Sequence, residues 1–112
     1  MAAPVLMTLR GLRTGPQTVG DMLRFGVTFS NTAGEEVDPT TVRFEYIPPS
    51  DRVPTTLTYN ATPPSGVTKV DTGNYRVDLP LDEPGSWAIR WESEGNYIGA
   101  TEFTIPVAQS KF

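Results

Sequence analysis

Met22-Leu23-Arg24-Phe25-Gly26-Val27-Thr28-Phe29-Ser30 is the stretch on which the fold turns. Leu23, Phe25, Val27 and Phe29 alternate with Arg24, Gly26 and Thr28. A strand sends successive side chains to opposite faces, so this run predicts one apolar face and one largely polar face. An apolar sheet face must be covered by a second layer. Asn31-Thr32-Ala33-Gly34 closes the run with residues that favour turns.

The same period of two recurs outward from it. Residues 41–47 put Val42, Phe44 and Tyr46 on one side and Arg43 and Glu45 on the other. Asp38-Pro39 sets their start, where proline is tolerated. Pro48-Pro49-Ser50-Asp51-Arg52 reads as a turn, and residues 55–59 as a short strand with Leu57 and Tyr59 on one face. Residues 63–66 break the chain again. Residues 67–70 and 74–79 flank Asp71-Thr72-Gly73, a hairpin connection, with Tyr75, Val77 and Leu79 inward. Pro84-Gly85 opens residues 86–92, where Trp87, Ile89 and Trp91 face inward against Ala88 and Arg90. In residues 96–107 the alternation slips between Ile98-Gly99-Ala100 and Phe103-Thr104-Ile105, which predicts a bulge or bend at residues 99–101.

These runs predict an all-β fold, an immunoglobulin-like antiparallel β-sandwich of seven to eight strands. An OB-type barrel ranks below it, because no helical segment is convincing and the Trp-bearing strand comes late in a meander. The sandwich is expected over residues 19–107, with 108–112 as a tail. Residues 1–18 read as an N-terminal arm or a first strand: Leu6, Met7, Leu9 and Leu12 are apolar, but Gly11, Gly15 and Pro16 interrupt them.

A chain of 112 residues is one domain by size and buries roughly two-thirds of its surface on folding. It contains no cysteine, which excludes disulfides and thiolate metal sites. It contains no histidine, the commonest general base and metal ligand. The net charge is -4 and the nine basic residues are scattered, which argues against a nucleic-acid partner. No apolar run approaches the ~20 residues of a membrane span, so no membrane partner is expected. Residues 1–7 lack the basic and apolar regions of a signal peptide, and a cytosolic origin is expected.

Catalysis needs an activated nucleophile, a carboxylate pair in a cleft, or a metal. The serines have no histidine beside which to act. Glu35, Glu36 and Asp38, and likewise Asp82 and Glu83, read as solvated turn residues, and no EF-hand spacing is present. No catalytic residue, metal site or cofactor is therefore expected. Trp87 and Trp91 share a face and read as core, not as a stacking platform. Asn60-Ala61-Thr62 matches a glycosylation sequon but reads as turn composition.

Several short pieces form a series: Val19-Gly20-Asp21, the Phe25/Val27/Phe29 run, Gly34, and Val37-Asp38-Pro39 with Val42. Asp71-Thr72-Gly73 with Tyr75, Pro84-Gly85 with Trp87, and Arg90-Trp91 complete it. In order and spacing the series resembles small immunoglobulin-like proteins encoded among the structural genes of tailed bacteriophages. The resemblance covers residues 19–107 and implies a virion protein, assembled in the host bacterial cytoplasm. Such a protein decorates the capsid or sits at the neck or tail, binds other virion subunits or the host surface, and can form homo-oligomers. It carries over no catalytic residue.

Members of that family often begin near the Val-Gly-Asp segment, and here about eighteen residues precede it. Residues 1–18 are accordingly expected to serve assembly more than folding, adding a strand to a neighbour's sheet edge. Leu6, Leu9, Arg10 and Arg13 are the candidate partner-binding residues. An ordinary first strand is the alternative. A second functional reading is a carbohydrate- or cell-surface-binding module using Trp91, Tyr97 or Tyr59.

Overall fold

The computed structural model describes residues 3–10, 17–59 and 66–109. In chain order the strands are β1 (Ala3–Pro4), β2 (Leu6–Arg10), β3 (Gln17–Thr18), β4 (Met22–Ser30) and β5 (Thr41–Ile47). They continue with β6 (Thr55–Thr58), β7 (Thr68–Asp71), β8 (Asn74–Pro80), β9 (Gly85–Glu94) and β10 (Tyr97–Ala108). One sheet runs β2-β4-β8-β7. The other runs β1-β10-β9-β5-β6, with β3 also on β10. In immunoglobulin lettering these are sheets ABED and GFCC′, an immunoglobulin-like sandwich. Eight of the described strands have four or more residues, as the sequence reading expected.

The period of two sets the core. Leu23, Phe25, Val27 and Phe29 of β4 and Tyr75, Val77 and Leu79 of β8 face Val42, Phe44, Trp87, Ile89 and Trp91 of the opposite sheet, all buried. The rings interlock: Phe44 lies edge-on to Trp91 at 4.9 Å between centroids and tilts against Phe25 at 5.5 Å. Such pairs add stability beyond their buried area. Leu81 and Val107, absent from the sequence-derived core, are also buried.

Residues 3–10 take the strand alternative and the sandwich begins before the expected boundary at residue 19. β1 pairs parallel with the start of β10, and β2 pairs antiparallel with β4 from Leu6↔Ser30 to Arg10↔Gly26. The chain crosses between sheets at Val5. The expected bulge at residues 99–101 is absent: β10 pairs with β9 without a register break from Gly99↔Ser93 to Val107↔Gly85. The reason is Val5. A Cβ on Gly99 would lie 2.7 Å from Val5 Cγ1, so Gly99 is the inward position at which the crossing segment takes the missing side chain's space. The irregular step lies instead between Lys69 and Asp71 on β7.

Candidate interaction surface

Several residues of the motif series make fold contacts. Asp38 stands three residues before β5, and its Oδ1 accepts hydrogen bonds from Gly73 N at 2.8 Å and Tyr75 Oη at 3.0 Å. Its Oδ2 accepts from Lys69 Nζ at 2.8 Å. Gly73 has φ +78°, and a Cβ there would lie 2.8 Å from the Phe29 carbonyl oxygen. That close approach and the left-handed backbone together require glycine. Partial burial opposes the Asp38 charge, but the hydrogen bonds from Lys69, Gly73 and Tyr75 outweigh it and hold the carboxyl below its ordinary range. Burial, and then the Asp38 carboxylate, push the Tyr75 phenol far up. The cluster therefore ties the β7–β8 hairpin to the segment that leads from β4 into β5. Likewise Trp87 Nε1 donates to the Glu83 carbonyl at 3.0 Å, closing the turn before β9.

The outward residues of the GFCC′ sheet form a second arrangement. Strand register aligns them in three rows. Glu102, Arg90, Glu45 and Thr56 stand side by side across β10, β9, β5 and β6. The next row is Ala100, Glu92, Arg43 and Thr58, and on the other side lie Thr104, Ala88 and Ile47. Arg43 pairs with both Glu92 and Glu94, while Arg90 reaches Glu92 at 3.0 Å and Glu102 at 3.7 Å. The side chains of Arg43 and Glu92 are only 22% and 17% exposed, so the charges lie flat against the sheet.

Electrostatics follow from that packing. Hydrogen bonds to Glu94 and Glu92 push the Arg43 guanidinium well up. Burial and a hydrogen bond to the Glu92 carboxyl raise Glu45. Burial also disfavours the Glu92 charge, but hydrogen bonds with Arg43 and Glu45 prevail and hold it low. Beside these charges the short Ala88 and Thr104 leave a groove of about 490 Å³, walled by Ile47 and Pro54 on one side and by the Glu45–Arg90–Glu102 row on another.

The sequence-derived candidates are dispersed. Leu6 is 55% exposed on β2. Leu9 packs against the core, because the period of two turns Val5, Met7 and Leu9 inward. Arg10 ends β2, opposite Gly26 in register. Arg13 and the Asn60-Ala61-Thr62 sequon lie outside the described residues. Trp91 is fully buried and closed to a sugar, and Tyr59 packs edge-on against Tyr75 at 5.2 Å. Glu35 accepts from Asn31 Nδ2, Glu36 from Asn74 Nδ2, and Glu83 from Ser50 N, as turn residues do. Among the described residues no His, Cys, Asp or Glu group could hold a metal.

The charged rows were missed by sequence reasoning, which assigned Arg43, Glu45 and Arg90 only to the outward face. Their signal was present as Arg43-x-Glu45 and Arg90-x-Glu92-x-Glu94. Comparison with protein-family models and with curated proteins finds no match to this chain.

Proposed function

We propose that this chain is a non-enzymatic binding module, an immunoglobulin-like accessory protein of a tailed-phage particle that attaches to capsid, neck or tail subunits. The observation that carries binding over catalysis is the outer GFCC′ face. Arg43 and Arg90 are held by Glu92, Glu94 and Glu102 along and across the strands, which leaves a polar, grooved surface, acidic on balance, suited to protein contact. The virion assignment rests on the motif series quoted above. With Trp87 and Trp91 enclosed in the core, the carbohydrate-binding alternative has lost its indole platform.

Co-sedimentation tests the reading. The purified chain is mixed with particles assembled from the products of its neighbouring genes and run on a density gradient. It should travel with the capsid, neck or tail fraction at a fixed stoichiometry. If it stays at the top of every gradient while binding strongly to a glycan array, the carbohydrate reading replaces this one.

A further inference from the structure

We propose that the outer GFCC′ face is a self-association surface, on which a second copy of this chain packs across a twofold axis running along the strands between β9 and β5. A twofold interface brings residue i against j and j against i, so a patch can use it only if it is complementary to its own half-turn image. This face has that property in three consecutive rows. Turning the row Glu102–Arg90–Glu45–Thr56 about an axis between β9 and β5 sets Arg90 of one copy over Glu45 of the other. The same turn sets Glu102 over Thr56. In the next row Glu92 meets Arg43, and Ala100 meets Thr58.

The third row is complementary in size where the first two are complementary in charge. There the bulky Ile47 of each copy stands over the small Ala88 of the other, and the groove of about 490 Å³ lies at that point. Pro54, on the groove wall, comes over Thr104. Glu94 and Glu102 leave each face with four carboxylates against two guanidiniums, a repulsion between copies that salt screens. Glu94, at the end of β9, is held by Arg43 of its own chain, and Glu102 is near Arg90.

The area sets the strength. Four strands and about seven residues span ~19 Å by ~23 Å, a plan area of ~440 Å². Two such faces bury on the order of 1,000 Å², the size of weak, transient interfaces, so self-association is expected only toward the upper end of the concentration range below. The inference rests on the same face as the proposed binding reading and names a second copy as its occupant; gradients with particles test attachment to the virion, and the mass of the isolated chain tests self-association.

Sedimentation velocity decides it, run on the full chain from about 1 to about 500 μM. The mass should rise with concentration from 12.2 kDa toward twice that value. Arg90→Glu sets like charges against Glu45, and Ala88→Lys fills the groove. Each should weaken association at least tenfold while still unfolding cooperatively, Arg90→Glu at a somewhat lower temperature because it loses its pairs with Glu92 and Glu102. Glu45→Arg should do the same, and an equimolar mixture of Arg90→Glu with Glu45→Arg should dimerise again, because an all-acidic pair then faces an all-basic one. A purely intrachain role for these residues predicts no such rescue. If Glu45→Arg does not fold, Arg90→Glu and Ala88→Lys decide. A wild-type chain that stays monomeric throughout the range, variants that associate as well as wild type, or a mixture of folded variants without rescue would each overturn the proposal.

Discussion

Replacing Asp38 by alanine should cost about 2–4 kcal/mol of folding stability. The figure comes from what one carboxylate oxygen holds. Its Oδ1 is the acceptor for Gly73 N and for the hydroxyl of Tyr75, a residue 2% exposed. Truncation strands both donors, and a buried donor without a partner costs about 1–3 kcal/mol. The Asp38 side chain is 36% exposed, so water reaches part of the vacated space and the sum sits below its ceiling. The Lys69 ion pair adds little, because exposed pairs contribute about 0–1 kcal/mol.

Urea denaturation near neutral pH measures the effect, and four companion variants separate its parts. Asp38→Asn keeps an acceptor oxygen and should lose only about 1 kcal/mol, as should Tyr75→Phe. Lys69→Met should stay within about 0.5 kcal/mol of wild type. The double variant Asp38→Ala/Tyr75→Phe should lose about 1 kcal/mol less than the sum of its singles, since the two share one hydrogen bond. An Asp38→Ala loss below about 0.5 kcal/mol, or strict additivity with Tyr75→Phe, would refute the view that this carboxylate ties the hairpin to the segment leading into β5.

Other expectations can be checked with the same assay. Trp87→Ala should cost about 3–5 kcal/mol, because it empties the core between the sheets; a loss under about 1 kcal/mol would place the indole at the surface. Deleting residues 2–10 should lower stability or cause aggregation by baring the β4 edge, and a truncated chain melting at the parent temperature would return the segment to the role of a detachable arm. Asp38, Asp78 and Glu92 titrate below their ordinary range in the folded chain. Their stabilisation is therefore present above the unfolded carboxyl pKa of about 4 and should fade as pH falls through their lower folded values. Glu45 is raised, so its contribution has the opposite sign: it is full below its unfolded pKa and lost as pH rises through the folded one. Glu45→Gln should thus gain on wild type as pH rises from about 4, and a variant that loses ground as pH rises would contradict the assignment.

The core was legible because side-chain alternation is a local property of a strand. Leu23, Phe25, Val27, Phe29, Val42, Phe44, Tyr75, Val77, Leu79, Trp87, Ile89 and Trp91 were all assigned inward from the sequence and all are buried. The turn at Asp71-Thr72-Gly73 was equally readable, since the left-handed backbone demands a residue like Gly73. Two features were decided by tertiary structure alone. The slip in alternation around Gly99 looked like a bulge because its cause, the Val5 side chain, lies some ninety residues away in sequence. The charged rows depend on register: Arg43 meets Glu92, and Glu45 meets Arg90, only because β5 and β9 align at those residues. One residue of slip would send these side chains to the other face. Alternation tells each strand which residues to bury. Which residues become neighbours across the surface is settled when the strands pair, by contacts between segments that carry no mark of one another in the chain.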